Sequence, residues 1–235
     1  MIAGRFEQAA WLMAEIDHRR DYWAVERHPV YERWAAGLLT PGDLQLYAGE
    51  HHHVAAAVAG AAARAAALAD GLLREELARA ARERDHDVEL WCEFAVATGW
   101  PRSAGWCFGA DPLPETEASA AVWLGDAERS LPAHLVTIYV LETAQADVAR
   151  PVLAGLLGRY GFAASASIRY FERRLAGDAG PGGLIEAALT GLLPVADPFV
   201  LVRQAEVAYR AYWELLDGLA GLLAPRVRPR SRARL

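Results

Sequence analysis

The chain has 235 residues, 54% of them hydrophobic, with a formal net charge of −6 and a mean hydropathy of +0.06. That is the composition of a folded globular chain with a sizeable core, not of a disordered one. All 24 basic residues are Arg, which excludes a Schiff base on the protein's own lysine; scattered arginines on an acidic total also argue against a nucleic-acid partner. Cys92 and Cys107 are too few for a disulfide framework or a four-cysteine zinc site. The N-terminus lacks the basic start and apolar run of a secretory signal. The alanine-rich stretch 54–68, interrupted by Arg64, is too short and weak for a membrane span. A cytoplasmic protein with no membrane partner is the expectation.

Helical periodicity dominates in chain order, with no sustained period-two alternation. A first helix is expected over 5–27. His28-Pro29 then holds the backbone extended ahead of a short amphipathic segment. Thr40-Pro41-Gly42-Asp43 is a start signal, with Thr as N-cap, Pro at the first helical position and Asp closing a capping box; its helix should run to Leu68. Asp70 caps the next helix, which ends near Gly99-Trp100-Pro101. Residues 101–114, rich in Gly, Pro and Trp, read as a loop. Helices are expected over 115–128, from Ser130 to about 160, over 164–176, over 184–193 and over 197–223. The fold class is all-α, a compact bundle of about seven to nine helices formed by residues 1–224. Residues 225–235 form a basic, proline-containing tail, expected to be disordered.

The helix after Asp70 carries Arg82-Glu83-Arg84-Asp85-His86-Asp87. Crowding so many ionisable groups into a helix interior is costly unless some face water or a polar cavity. Arg82 and His86 are four apart and share a face, and Glu83 and His86, three apart, are also neighbours. A cation, a carboxylate and an imidazole on one surface suit proton transfer or part of a metal site; the alternative is a solvated face.

On the helix after Thr40, Leu44, Tyr47, His51, Val54 and Val58 follow helical spacing, which puts His51 on an apolar face. The adjacent His52 and His53 point about 100° apart from it and from each other, so the three cannot converge on one ion. Tyr170 and Arg174, four apart, pair a phenolic proton donor with a cation able to clamp a carboxylate. Glu142 and Asp147 lie on an otherwise mostly apolar helix and need partners, for which the arginines are candidates. Glu83-Arg84-Asp85-His86 is a Glu-x-x-His unit, but the second copy a di-iron bundle requires is missing.

Taken together, these residues resemble the heme-oxygenase-like superfamily that includes the thiaminase-type TenA proteins, and most of all pyrroloquinoline-quinone synthase. The likeness runs from about Arg27 to Gly218. It rests on His28-Pro29 with the turn leading to Leu44, on Arg82-x-x-x-His86-Asp87, on Tyr170-Phe171-x-x-Arg174-Leu175, and on Tyr212-Trp213-Glu214-Leu215-Leu216-Asp217. The resemblance implies a heme-oxygenase-like fold, typically dimeric, and a closed pocket in which a small aromatic or heterocyclic substrate is oxidised by O2 without metal or flavin. It further implies His28, His86, Arg82, Tyr170 and Arg174 as catalytic residues, with Arg82 and Arg174 also holding substrate; His51 and Asp147 are expected to contact substrate beside them. Where the synthase carries further polar groups, this chain has His51 and Val54, and Ala154 and Leu157 after Pro151. That implies a smaller or less acidic substrate, in a specialised biosynthetic pathway. Two alternatives accompany this reading. One is an iron enzyme with a degenerate site at Glu83, His86, Glu142 and Asp178. The other is a non-catalytic binding or scaffold protein. The thiaminase branch uses a cysteine on the helix holding Glu142, and that helix has no Cys.

Overall fold

The Thr40 hydroxyl accepts from the Asp43 N–H, and the Asp43 carboxylate accepts from the Thr40 N–H at 2.8 Å, closing the expected capping box. The helix it starts, Pro41–Leu68, is the third of nine among the described residues of the computed structural model. Described are residues 2–101, 111–163, 166–176, 182–193 and 196–223; the basic tail 225–235, Cys107, Asp178 and most of the expected 101–114 loop lie outside them. In chain order the helices are α1 (Ile2–Trp23), α2 (Pro29–Ala35), α3 (Pro41–Leu68), α4 (Gly71–Ala97), α5 (Pro114–Leu124), α6 (Leu131–Gly158), α7 (Arg169–Ala176), α8 (Gly182–Leu192) and α9 (Pro198–Leu222). There is no strand among the described residues, and no helix there is long and apolar enough to cross a membrane.

Two starts differ from the sequence expectation. Asp70 does not cap α4 with its side chain but pairs with Arg74 one turn on, and Ser130 makes no capping bond to α6. The first helix stops at Trp23 because Ala24 takes a left-handed conformation (φ 32°), and a short 3-10 turn, Val25–Arg27, follows. His28 is then the N-cap of α2, its Nδ1 accepting from the Val30 N–H at 3.2 Å.

The central helices are α3, α6 and α9, which pack on one another directly or through α4 and α5, while α7 lies against α4 and α6. The inward stripes of these helices and of α2 are apolar and aromatic: Trp34, Trp91, Trp123, Tyr31, Tyr47, Tyr209 and Tyr212 are all fully buried. Indole and phenol groups need partners in such a place. Trp34 Nε1 donates to the Val152 carbonyl, Trp91 Nε1 to Ala48 and Trp123 Nε1 to Ala208, so each indole also ties two helices together. Trp34 can approach α6 because Gly155 has no side chain; a Cβ there would lie 2.7 Å from Trp34 Cδ1.

Candidate active site

Where α3, α4, α6, α7 and α9 meet, aromatic side chains enclose a small chamber of about 10 Å³, the room that one water needs. Tyr47 and His51 come from α3, one turn apart. Trp91 comes from α4, Tyr170 and Phe171 from α7, Tyr212 from α9, and Gln145, Val148 and Ala149 from α6. His51 stacks on Tyr47 (ring centroids 5.4 Å, planes 16° apart) and lies 4.4 Å from the Trp91 ring. Tyr170 meets Trp91 edge-on at 4.8 Å.

Behind the tyrosines, Tyr31 of α2 holds a phenol triad together: its hydroxyl is 2.9 Å from that of Tyr47 and 3.2 Å from that of Tyr212. Burial keeps these phenols protonated, lifting Tyr31, Tyr47 and Tyr170 well above the ordinary phenol range and Tyr212 to about 12. Burial also holds His51 neutral, with its pKa down at about 3. Two polar atoms in the chamber wall have no hydrogen-bond partner, His51 Nδ1 and Gln145 Nε2.

On the far side of Tyr170 is a buried ionic cluster. Arg84 Nη1 donates to Asp87 Oδ2 at 2.8 Å, and Arg174 Nη2 donates to the same oxygen at 2.9 Å. Arg174 Nη1 also reaches Glu142 Oε2 at 3.4 Å, and its guanidinium carbon lies 5.2 Å from the Tyr170 ring centroid. Arg84 Nη2 approaches Glu142 Oε1 to 2.6 Å, and Arg173 Nε approaches Asp87 Oδ1 to 2.9 Å; both are close ion pairs, although neither oxygen receives an aligned hydrogen bond. Burial raises the Glu142 carboxyl to about 7, against the pull of Arg84 and with the help of Asp87. Arg84 keeps its charge, because Glu142 and Asp87 outweigh the desolvation that opposes it. The cluster thus holds one carboxyl whose pKa burial lifts to about 7, behind the Tyr170 side of the chamber wall.

This arrangement corrects the reading of α4. Arg82 and His86 are exposed, and His86 Nδ1 faces Glu89 at 3.0 Å. The inward residues are Arg84 and Asp87. They continue the buried stripe of Leu77, Ala80 and Ala81 into Leu90, Trp91 and Phe94, a register that the sequence contained and that outranks the i,i+4 match of Arg82 with His86.

His28 is buried but stands apart from the chamber, its Nε2 3.1 Å from Asp217 and its ring 4.6 Å from Trp213. Since Nδ1 accepts from Val30, Nε2 carries the proton of the neutral ring; burial lowers its pKa, with Asp217 opposing. Asp147 is turned the other way and takes a two-pronged bond from Arg20 of α1 at 2.7 and 2.5 Å. Of the residues read from the sequence, His51 and Tyr170 line the chamber and Arg174 backs it. Gln145, Trp91, Tyr47 and Tyr212 line it too, although the sequence assigns none of them to a site. Ala154 and Leu157 are exposed, so replacing polar groups there does not alter the chamber wall.

The iron ligand set is not assembled either. Glu83 pairs with Arg79 and Arg173 on the outer side of α4, His86 faces water, and Glu142 is inside, held by Arg84. Asp178 lies outside the described residues, and among those described no three His, Cys, Asp or Glu side chains are grouped to hold a metal ion.

No family model matches the chain, and no curated protein matches it in sequence. Solved structures do match it. A TenA homologue from Pseudomonas syringae pv. tomato str. DC3000 superposes with a TM-score of 0.74 at 18% identity, over 92% of this chain and 93% of that one. A TenA homologue from P. horikoshii OT3 gives 0.73 at 13% identity, over 89% and 99%. A domain of unknown function with a heme oxygenase-like fold, from Shewanella denitrificans OS217, gives 0.67 at 16%, over 87% and 88%. The fold is therefore heme-oxygenase-like, and at these identities the likeness concerns the fold alone.

Proposed function

We propose that the protein is an oxidoreductase that binds a small aromatic or heterocyclic molecule in the chamber and oxidises it with O2, without metal or flavin. The observation that carries this reading is the Glu142 carboxyl: buried, titrating at about 7, and held by Arg84 and Arg174 directly behind Tyr170. Removing two electrons and two protons from an electron-rich ring and passing them to O2 as H2O2 requires a group that takes up and releases protons at working pH. Glu142 meets that requirement. His28 and His86, which the sequence put forward for proton exchange, lie away from the chamber; Glu142 is not in the chamber wall either but stands behind Tyr170, on the Arg174 that lies over that ring, and takes the acid–base role from there. The flat aromatic walls suit a flat ring. The chamber is closed down to the size of one water, so entry of such a ring requires one of the surrounding helices to shift outward.

The test is oxygen uptake by metal-stripped protein with a panel of catechols, aminophenols and dihydro-heteroaromatics. Uptake that survives chelation and falls by about 10²-fold in Glu142→Gln is the expected result; uptake abolished by chelation overturns the reading. The chamber wall itself, in which burial holds His51 neutral and the phenols protonated, favours a second reading, a binding protein without turnover. It gains if ring compounds bind with no oxygen consumed.

A further inference from the structure

We infer that Gln145 is the specificity-determining residue of the chamber, its side-chain N–H group reading a hydrogen-bond acceptor, a ring nitrogen or ring carbonyl, on the edge of a neutral bound ring. This rests on the chamber being the substrate site, as proposed above.

Gln145 is 5% exposed and lines the chamber between apolar neighbours on α6. The Tyr170 hydroxyl donates to its Oε1 at 3.3 Å. The phenol has a proton to give and the amide oxygen takes it, which turns Nε2 away from Tyr170 and leaves it without a partner. Across the chamber on α3, His51 Nδ1 is unpartnered as well, on a side chain 2% exposed. Buried polar groups are nearly always bonded, and leaving one unsatisfied destabilises the fold. Two orphan atoms on residues lining one otherwise aromatic and aliphatic void mark a place whose hydrogen bonds are completed by what enters it, a single water at its present size or an acceptor on a guest that displaces it. Leu, Met or Phe at either position would fill the same space without that cost.

The charges behind the wall define the ligand further. None of Arg84, Arg173 and Arg174 lines the chamber, and each is engaged by Asp87 or Glu142. A carboxylate on the ligand would find an amide N–H and a neutral imidazole but no cation, so anionic rings are disfavoured. The ligand class is a neutral, planar heteroaromatic with an acceptor at its edge.

The experiment uses pyridine and benzene, which match in shape and differ in the ring nitrogen, at a pH where pyridine is neutral. Binding to the full chain is followed by NMR, with the Gln145 side-chain amide signal identified by its loss in Gln145→Met. Wild type is expected to favour pyridine by about tenfold or more, about 1.4 kcal/mol, with the Gln145 amide signal moving for pyridine and not for benzene. In Gln145→Met the preference should shrink to about threefold or less while benzene still binds, which also shows that the chamber is intact. Equal binding of the two probes by wild type, or a preference kept in Gln145→Met, overturns the inference and leaves the chamber as a ring site. Failure of both probes to bind overturns the inference together with the substrate-site reading.

Discussion

Arg84 and Asp87, one turn apart on α4, are joined by a 2.8 Å hydrogen bond inside the bundle, with side chains 7% and 3% exposed. Asp87 also carries Arg173 and Arg174. Removing one partner of a buried ionic group leaves the others uncompensated. Asp87→Ala should therefore cost about 3–5 kcal/mol in urea unfolding. Arg82→Ala and His86→Ala, which touch the exposed face of the same helix, should leave the unfolding midpoint unchanged. A large loss in either of these would contradict the inward register of Arg84 and Asp87.

The pH dependence of stability follows from two groups of opposite sign. Glu142 has its folded pKa raised from 4.5 to about 7. Between those values the folded state keeps a proton that the unfolded state releases, so stability falls as pH rises through the window and is level above it. His51 has its folded pKa lowered from 6.5 to about 3. Here the unfolded state holds the extra proton, so stability is full above 6.5 and is lost as pH falls toward 3. Glu142→Gln should remove the first slope. Unfolding free energies measured on either side of that window should show the variant improving relative to wild type as pH rises; a constant difference would show that Glu142 titrates near its ordinary value.

The bundle was largely legible in the sequence, because its signals are local. Thr40 with Asp43 is a cap set by a few neighbouring residues, and it forms; Asp70 and Ser130 also stand at helix starts, though neither caps with its side chain. The site was less so, because it depends on which face of each helix turns inward. Arg82 and His86 satisfy the i,i+4 rule as well as a buried pair would, and the Arg-x-x-x-His-Asp segment marks the same pair; only the register of the whole helix, from Leu77 to Phe94, separates them from Arg84 and Asp87. Gln145 carried no motif at all. Its meaning comes from Tyr170, 25 residues away, and from a void that no local pattern describes.

His28 separates a structural role from a chemical one. It caps α2 through Nδ1 and anchors α9 through Asp217. His28→Ala should lower stability by about 1–2 kcal/mol, and His28→Asn, which retains a capping acceptor, should recover part of that loss. Oxygen uptake per folded molecule should be the same in both variants as in wild type. A selective loss of uptake in His28→Asn would restore this residue to the chemistry.

Gly155→Ala tests the packing that holds α2 against α6. A methyl group at that position meets the Trp34 ring at 2.7 Å, and the overpacking should cost about 1–3 kcal/mol by thermal or urea unfolding. Tyr31 follows Trp34 on the same short helix, so a shift of α2 should also appear in the near-UV signal of the buried aromatics. An unchanged variant would mean that Trp34 yields freely.

The three phenols of Tyr47, Tyr31 and Tyr212 form a relay with two links and three protons. Tyr31, in the middle, must accept from one neighbour and donate to the other, so the relay has a direction. Run one way, it leaves Tyr212 with a proton to offer; run the other way, it leaves Tyr47 with one. Both terminal rings border the chamber. Whatever fixes the proton of one terminal hydroxyl therefore fixes all three, so Tyr47 on α3 and Tyr212 on α9 are coupled through Tyr31 without any side chain changing place.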